Sequence, residues 1–487
     1  MAITRRHFCG LTACSLVAGL GTGCTVNPAT GSRDLILVNP DEEKQIGLRE
    51  HPKILAQFGG VYKDSAAAGY VASIGGKLAA TTETPSLGFT FTLLDSPIVN
   101  AFALPGGYVY ISRGLMALAG NEAELAGVLG HEIGHVVARH SAQRQSQSML
   151  AQLGVGLLGA VTGRESSQLA GTVAGLYLRS YSRDQELEAD MLGIRYLRRT
   201  GYDINAMASF LARLRANSQL EAQIAGRSPN EVDSYDITAT HPRTIERVQR
   251  AAALSGGKQN GRRDRNSYLK ALDGMIFGDG PEQGYTLGRR FAHPKLRFEF
   301  SVPQGFKLQN RPDRIAAASK QAKAAIIFTA APKPYRGTMS AYLSGVWGRG
   351  AALNDLEAIK INGFGAATAW VRARDGRTDY RLIAIRFDSK HIFRFVFAAA
   401  PAAMQKLAPA FQRTTYSFKR LSPAQAAVLQ PKRLKIVAVR ATDTVGRLSG
   451  RMAFEDFRQE RFVTLNGLGD KRPLASLKRV KLVVQNG

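Results

Sequence analysis

The sequence predicts a multidomain protein of the mixed α+β class. Its 487 residues are too many for a single hydrophobic core. Apolar stretches with helical periodicity dominate before the glycine-rich, charged stretch Ser255–Arg265, and short β-branched and aromatic runs dominate after it. We therefore expect a mainly helical domain with a small edge-strand sheet over residues 25–260, a linker over 261–285, an α+β module over 286–425 and a βααβ unit over 430–487.

The first 24 residues have the features of an export signal. Arg5 and Arg6 precede an apolar stretch that, at about 12 to 15 residues, is short for a membrane span. The arginine pair resembles a twin-arginine signal, and an ordinary secretory signal is the alternative. All three cysteines lie in or at the end of this segment, and cleavage before Cys24 would allow its acylation. We expect a periplasmic lipoprotein, anchored to a Gram-negative bacterial membrane by its lipid.

The stretch from His131 to His135 carries two imidazoles and a carboxylate within five residues. Side chains four apart share a helix face, so His131 and His135 can both reach one ion. Glu132 is rotated by about 100° from His131 and can hold a water instead. The surrounding helix is apolar, and burying these groups without a partner would cost several kcal/mol. The pattern predicts one Zn²⁺ per chain with Glu132 as general base; a solvated helix with this spacing is the alternative.

A catalytic zinc site usually has a third protein ligand and an open position for water. The metzincin pattern would place a histidine where this chain has Ser141, so that class is excluded. His140 follows His135 by five residues and is expected to turn away from the ion, behind the ligands or at the surface. A second helix offers Glu186 and Asp190 on one face. One of them could bind metal while the other accepts the spare ring N–H of a ligand histidine.

Other motifs accompany the histidine pair in order along the chain: Asn100–Gly107, Gly114-Leu115, Ser182-Arg183 and Glu186–Asp190. Together with Asn121–His135 they resemble the HtpX and CAAX prenyl protease family of zinc metallopeptidases. The opening Asn27–Gly31 is similar to the periplasmic members of that family, which have no transmembrane helices. The resemblance implies a gluzincin peptidase domain in which Glu186 is the third zinc ligand and Asp190 supports the ligands from behind.

His241-Pro242, with Arg247 downstream, also matches a motif of the periplasmic members. In those proteins the histidine can cap the zinc and hold the enzyme inactive. The alternative is that Thr240 or His241 caps a helix whose first residue is Pro242, a position that proline favours. Both interpretations of His241 remain open from the sequence.

The run Val99–Ile111 has strand character with a Pro-Gly-Gly interruption. An edge strand beside the motif helix would align an extended peptide by main-chain pairing, with Asn100, Ala101, Pro105 and Gly106 as the aligning residues. Such pairing favours unfolded or misassembled envelope proteins over compact ones as substrates.

In the middle region, short apolar runs predict four strands: Leu296–Val302, Ala325–Thr329, Tyr380–Phe387 and Ile392–Ala398. A short helix, Ala402–Ala408, is expected between Pro401 and Pro409. His293 and His391 are isolated, and a structural role is expected for both. The middle region carries no catalytic constellation.

The C-terminal residues 430–487 resemble a LysM module, a βααβ unit that binds N-acetylglucosamine polymers of cell walls. The strands are expected at Leu434–Val439 and Arg479–Val484. This resemblance implies peptidoglycan as a partner. Thr442 replaces the glycine expected before the first helix, and a module used only for packing or protein contact is the alternative.

The formal net charge of +27 does not indicate a nucleic-acid partner, because the basic residues are scattered without an aromatic-basic binding motif. Anionic lipid and wall polymer are the expected counterparts. Two function classes follow. The first is a zinc endopeptidase for processing or quality control of envelope proteins. The alternative is a mainly non-proteolytic chaperone, assembly factor or wall-binding protein with a latent site.

Overall fold

The computed structural model describes residues 24–149, 181–230, 244–255, 261–469 and 472–485. The chain divides into two compact units, of which the first comprises Met1–Met275 with Arg433–Val484 and the second Ile276–Lys432 with Gln485–Gly487. The expected export signal lies outside the described residues, except for Cys24, which begins the first strand. Within the described ranges, no helix combines the length and apolar character needed to cross a bilayer.

The first unit begins with helices around a small sheet. Its strands are β1 (Cys24–Val26), β2 (Arg33–Leu35), β3 (Thr90–Leu94), β4 (Ala101–Leu104) and β5 (Tyr108–Ser112). Its helices are α1 (Pro40–Gln57), α2 (Ser65–Ala79), α3 (Arg113–Leu118), α4 (Glu122–Val137), α5 (Arg183–Arg199), α6 (Ala206–Ile224), α7 (Thr244–Ser255) and α8 (Arg265–Leu272). A further helical stretch spans residues 140–149.

Helix α4, which carries the two motif histidines, is the core helix of the first unit. Each of its residues is buried, and α2, α5, α6 and β4 pack around it. A helix that is apolar on nearly all sides is expected in such a central place. The polar motif is therefore enclosed by protein on several sides.

A three-stranded sheet in the order β3-β5-β4 lies against α4. Strand β3 is parallel to β5 and β4 is antiparallel to it, so β4 is a terminal strand of this sheet. Between β4 and β5 the chain turns through Gly106 and Gly107, whose φ angles of 79° and 87° suit glycine. The strand expected over Val99–Ile111 is thus a β-hairpin, with the Pro-Gly-Gly stretch as its turn.

The second unit is mostly antiparallel sheet. Its strands are β6 (Ile276–Phe277), β7 (Tyr285–Leu287), β8 (Arg290–His293), β9 (Phe298–Ser301), β10 (Lys307–Arg311), β11 (Arg314–Ser319), β12 (Ala324–Ala330), β13 (Asn354–Ile361), β14 (Phe364–Arg372), β15 (Asp379–Arg386), β16 (Ile392–Ala399) and β17 (Lys419–Arg420). Its helices are α9 (Met339–Tyr342), continued by a π-helix over Leu343–Trp347, α10 (Pro401–Ser417) and α11 (Pro423–Ala427).

Seven of these strands form one sheet in the order β10-β11-β12-β16-β15-β14-β13, and four form another in the order β17-β9-β8-β7. The core between them and α10 is built largely from phenylalanine, including Phe298, Phe328 and Phe395. The four expected strands are present as β9, β12, β15 and β16. The helix expected to stop before Pro409 instead continues to Ser417, and burial of Phe411 in the core offsets the main-chain hydrogen bond that proline removes.

The C-terminal module has the expected strand-helix-helix-strand order. It consists of β18 (Lys432–Ala438), α12 (Val445–Ser449), α13 (Arg458–Asn466), a 3₁₀ turn (Leu474–Ser476) and β19 (Arg479–Gln485). Strands β18 and β19 are neighbours in one sheet. The side chain of Asn466 accepts from the main-chain N–H of Lys481 at 2.8 Å and donates to its carbonyl at 2.9 Å, which fixes α13 to β19.

This module belongs to the same compact unit as α1 to α8. The Nζ of Lys481 is buried against the end of α3 and donates to the carbonyl oxygens of Ala117, Leu118 and Ala119 at 2.6, 3.2 and 2.9 Å. The domain boundaries therefore differ from the expected ones. The predicted linker over 261–285 includes helix α8, whose Tyr268 is fully buried, because its aromatic ring packs inside the first unit.

Candidate metal centre

Small residues let the two motif helices, α4 and α5, approach closely. A Cβ added at Gly130 would lie 3.2 Å from the Cα of Gly193, and one added at Gly193 would lie 3.0 Å from the main-chain nitrogen of His131. At Gly134 an added Cβ would meet the Cβ of Leu192 at 3.1 Å. Larger side chains here would push the helices apart. The glycines beside the histidines thus bring the carboxylates of α5 within reach of the histidines on α4.

Each motif helix begins at a side-chain cap. The Asn121 side chain accepts from the main-chain N–H of Glu124 at 3.0 Å and starts α4. Ser182 and Gln185 form a reciprocal capping box at the start of α5, which places Glu186 in the first turn. These local sequence signals fix where each helix starts and hence which faces carry the ligand side chains.

Three buried side chains converge at the crossing of α4 and α5. The Nε2 atoms of His131 and His135 are 3.1 Å apart. The carboxylate oxygens of Glu186 lie 3.6 Å from Nε2 of His131 and 3.5 Å from Nε2 of His135. One ligand atom from each of the three lies within 4.8 Å of the other two. Two imidazoles and one carboxylate in this arrangement could hold a divalent cation.

The donor set fits Zn²⁺. Imidazole nitrogen and carboxylate oxygen are ordinary zinc ligands, and two histidines with one glutamate leave room for a water in a four-coordinate site. Asp190 Oδ1 lies 2.9 Å from Nδ1 of His131, so it can accept a hydrogen bond from the N–H at that position. The lone pair of the other ring nitrogen, Nε2, then remains available for a metal ion. Burial lowers the pKa of His135 well below its usual value, which keeps the ring neutral and able to bind metal.

Arg247, from α7, is buried beside the two acidic residues of α5. Its guanidinium donates twice to Asp190, at 2.7 Å to each carboxylate oxygen, and its Nη1 lies 2.9 Å from Glu186. Burial alone would raise the pKa of Asp190, but the charge and hydrogen bonds of Arg247 hold it at about 2. Asp190 therefore stays ionised and can orient His131 over the physiological pH range.

The ring of His135 is fixed from two sides. Tyr181 stacks on it with the ring centroids 3.8 Å apart and the planes 14° from parallel. His140 is fully buried, with its Nδ1 2.7 Å from Nδ1 of His135. His140 therefore lies behind the ligands, and the alternative of a surface position is wrong. Two arginines on the same helix pair with other carboxylates, Arg183 with Glu246 and Arg195 with Glu83.

A pocket opens beside the convergent histidines. Its walls are largely apolar, from Val99, Leu115, Val128, Met207 and Phe210, and its polar residues include Asn100, His131, Glu132 and Arg247. Glu132 is itself buried, one residue from a ligand histidine. An apolar pocket with a few polar groups at one end is the usual form of a small-molecule or peptide-binding site.

The four residues expected to align substrate lie in two different places. Asn100 and Ala101 line the pocket together with His131 and Glu132. Pro105 and Gly106 instead form the hairpin turn against α1, where the Pro105 carbonyl faces Gly47 and Gly106 lies against Lys44. These two residues are not part of the described pocket lining. The turn is held by contacts with α1, and the aligning role of Pro105 and Gly106 stays a prediction.

No sequence pattern assigned a role to Arg247, Tyr181 or Glu188. Arg247 stood within a matched motif, but no spacing rule linked it to α5. His241 lies outside the described residues, six positions before Arg247. Glu188, two residues after Glu186 on α5, places a carboxylate oxygen 3.4 Å from Nε2 of His140. The hydrogen bond from His140 lowers the pKa of Glu188.

Comparisons with known proteins agree with this site. Residues 65–255 match the profile of Peptidase family M48. The putative beta-barrel assembly-enhancing protease of Vibrio cholerae is 35% identical over 191 residues, 37% of this chain and 37% of that protein. The Beta-barrel assembly-enhancing protease of Escherichia coli K12 is 35% identical over 183 residues, 36% of each chain. The Mitochondrial metalloendopeptidase OMA1 of Arabidopsis thaliana is 38% identical over 127 residues, 26% of this chain and 25% of that protein.

The matched part of the chain thus spans only about a third of the two bacterial relatives and a quarter of the plant protein. The segment that matches the family profile, residues 65–255, includes α4 and α5 and therefore all three convergent side chains. The family match and the candidate metal site therefore fall in the same segment of the chain. Residues 65–255 of this chain, which hold the candidate metal site, are thus similar to peptidase family M48, a family of metallopeptidases.

Proposed function

We propose that this protein is a zinc-dependent endopeptidase. The observation that carries the proposal is the buried convergence of His131, His135 and Glu186 beside a pocket that also contains Glu132. These three residues would hold one Zn²⁺ per chain. When bound, the metal would polarise the scissile carbonyl and lower the pKa of water toward neutrality.

In this proposal Glu132 is the general base. It takes a proton from the attacking water and passes it to the amine that leaves when the peptide bond is cleaved. Asp190 holds the ring of His131 by accepting its N–H, and Arg247 holds Asp190 ionised. The apolar pocket walls exclude bulk water, which strengthens these interactions.

The substrates we propose are unfolded or misassembled envelope proteins. Asn100 and Ala101 line the pocket at the start of the terminal strand β4, where an extended peptide could pair with the main chain. The bacterial relatives are named as proteases that enhance β-barrel assembly, which supports β-barrel proteins of the envelope as a substrate class. Pro105 and Gly106, in the turn that follows β4, stay predicted aligning residues.

We further propose that the enzyme belongs to the periplasmic lipoprotein branch of the HtpX and CAAX prenyl protease group. Export would follow from the segment ending at Cys24, whose acylation would tie the enzyme to the membrane. Mass spectrometry of the mature protein, purified from membranes, tests this. A diacylglyceryl adduct on Cys24 is expected, and an unmodified amino terminus elsewhere would contradict it.

The βααβ module supports two uses. Its strand-helix-helix-strand order supports a LysM-like fold and peptidoglycan binding, whereas the burial of Lys481 against α3 supports an integral structural part. Co-sedimentation of the full chain with purified peptidoglycan tests the first. If the module binds wall polymer, the protein should pellet with peptidoglycan, and added salt should weaken this binding. If the protein does not pellet, only the structural use is supported.

We propose that His241 gates the metal site. The proposal is supported by Arg247, six residues further along the chain, which contacts Glu186 and Asp190. Replacing His241 by alanine should raise peptidase activity if the imidazole blocks the water position. Unchanged activity together with unchanged zinc content would remove the idea and leave the helix-capping alternative.

The alternative function is a chaperone or assembly factor with a latent peptidase site. Zinc content and casein cleavage of the parent and of Glu132→Gln discriminate between the two. If the protein is a peptidase, we expect both proteins to bind one zinc. The rate of casein cleavage should be at least about 100-fold lower in the variant, which is a usual contribution of a general base. Cleavage by the variant at the parent rate would contradict Glu132 as the general base, and a zinc-loaded parent that cleaves nothing would favour the alternative.

A further inference from the structure

A continuous row of hydrogen-bonding groups runs from the candidate ligand His135 to the N-terminal segment of the described chain. His135 Nδ1 lies 2.7 Å from Nδ1 of His140, and His140 Nε2 lies 3.4 Å from Oε2 of Glu188. The other carboxylate oxygen of Glu188 accepts from Nδ2 of Asn27 at 3.0 Å. His135, His140 and Asn27 are all buried. The row therefore connects the metal centre with a residue far away in sequence.

Only one order of protons suits both metal binding and these contacts. A histidine that offers Nε2 to a metal carries its proton on Nδ1, so His135 donates and His140 Nδ1 must accept. The proton of neutral His140 is then on Nε2, where it donates to the Glu188 carboxylate. Each group in the row thereby fixes the tautomer of the next. This row of hydrogen-bonding groups is a longer version of the carboxylate–histidine pairs that orient metal ligands.

The N-terminal segment holds its end of the row through a tight turn. The side-chain oxygen of Asn27 accepts from the main-chain N–H of Ala29 at 2.9 Å, so its amide nitrogen faces Glu188. The main-chain N–H of Asn27 donates to the carbonyl of Ser32 at 2.7 Å. Arg195 on α5 donates to the Ala29 carbonyl at 3.1 Å and holds this turn against the helix that carries Glu188.

We propose that His140 and Glu188 are positioning residues that hold His135 in its metal-binding tautomer, and that Asn27 in the N-terminal turn completes this relay. The inference rests on the proposed zinc site. It goes beyond that site, because it makes zinc affinity depend on a turn that begins at Asn27, three residues after Cys24. Loss of an orienting group behind a metal ligand typically lowers metal affinity by about 10- to 100-fold.

The central test compares His140→Asn with His140→Leu. The carbonyl oxygen of asparagine falls close to the place of Nδ1 and can accept the proton of His135, whereas leucine fills similar volume and cannot. Zinc affinity is measured by competition with a chromogenic chelator, independently of peptidase activity. We expect His140→Asn to stay within a few-fold of the parent and His140→Leu to bind about 10- to 100-fold more weakly. Equal affinity for the two variants would overturn the relay.

The far end of the row is tested by Asn27→Asp. This substitution keeps the acceptor for Ala29 and places a carboxylate oxygen against Glu188, so we expect zinc affinity to fall several-fold. Ser32→Ala is the matched control, because Ser32 contacts Asn27 only through its main-chain carbonyl. Unchanged affinity in Asn27→Asp would remove Asn27 from the relay. A parent that takes up no zinc would overturn the zinc site and the relay together, whereas a zinc-binding parent with equal His140 variants would overturn the relay alone.

Discussion

Lys481 in the C-terminal module donates from its buried Nζ to the carbonyl oxygen of Ala117, near the end of helix α3, at 2.6 Å. Two more carbonyls, those of Leu118 and Ala119, accept from the same ammonium group. The last carbonyls of a helix have no partner inside the helix, and a cation is a favourable one. This contact joins residues more than 350 positions apart within the first unit.

Replacing Lys481 by methionine should destabilise the first unit. Methionine fills similar volume but leaves three buried carbonyls without their donor, and we expect a loss of about 3 kcal/mol. Thermal unfolding followed by circular dichroism measures the effect. Lys478→Met is the control, because that side chain is exposed in the same module. Equal unfolding temperatures for the two variants would show that the module is not held by Lys481.

Arg247→Lys should destabilise the protein although the charge is kept. A lysine cannot donate to both oxygens of Asp190 and reach Glu186 at the same time. One of these two buried carboxylates would therefore lose its hydrogen-bond donor. Breaking such a buried pair typically costs about 3 to 5 kcal/mol. The midpoint of urea unfolding is the measurement. Arg183→Lys, in the exposed pair with Glu246, should leave that midpoint unchanged; similar midpoints for the two variants would contradict the account.

Asp190 should make the metal-free protein acid-labile. Its pKa is about 2 in the folded chain against a usual 3.8, so the unfolded chain takes up this proton first as the pH falls. The stability that Asp190 confers, about 2 kcal/mol, is present above pH 4 and is lost as the pH falls toward 2. The difference in unfolding temperature between the parent and Asp190→Asn should therefore narrow between pH 5 and pH 2. A constant difference would contradict the assignment.

Zinc should stabilise the folded protein increasingly as its free concentration rises above the dissociation constant. At a free zinc concentration 100 times the dissociation constant, binding to the folded state alone adds about 2.7 kcal/mol. We expect the unfolding temperature to rise on adding zinc to the chelator-treated protein and to fall again with excess chelator. His135→Ala removes one proposed ligand and should abolish the rise. A zinc response of the same size in that variant would place the stabilising ion elsewhere.

Much of the site followed from short-range sequence rules. The spacing of His131 and His135 on an apolar helix, and of Glu186 and Asp190 on another, led to the cluster that the structure brings together. Arg247 could not be placed this way, because its contacts depend on how α7 packs against α5. The role of His140 also escaped the helical rule, since the helix that carries His135 ends at Val137 and the chain turns before residue 140.

The fold was predicted best where apolar residues alternate or repeat clearly. Strands β9, β12, β15 and β16 carry the buried phenylalanines and other large apolar side chains of the second unit. Strands β10 and β13 were missed because most of their side chains are exposed or half-buried and polar. The C-terminal module contacts the first unit partly through the buried Lys481, a residue type that sequence rules place at the surface.

The proposed zinc site is tested most directly by measuring zinc affinity in two variants of helix α5. Glu186→Gln removes a buried carboxylate that faces both histidines, and Asp184→Asn removes an exposed one two residues earlier. The account predicts one tightly bound zinc per chain in the parent and in Asp184→Asn, and binding at least about tenfold weaker in Glu186→Gln. Equal zinc affinity in the two variants, or no zinc binding by the parent, would contradict it.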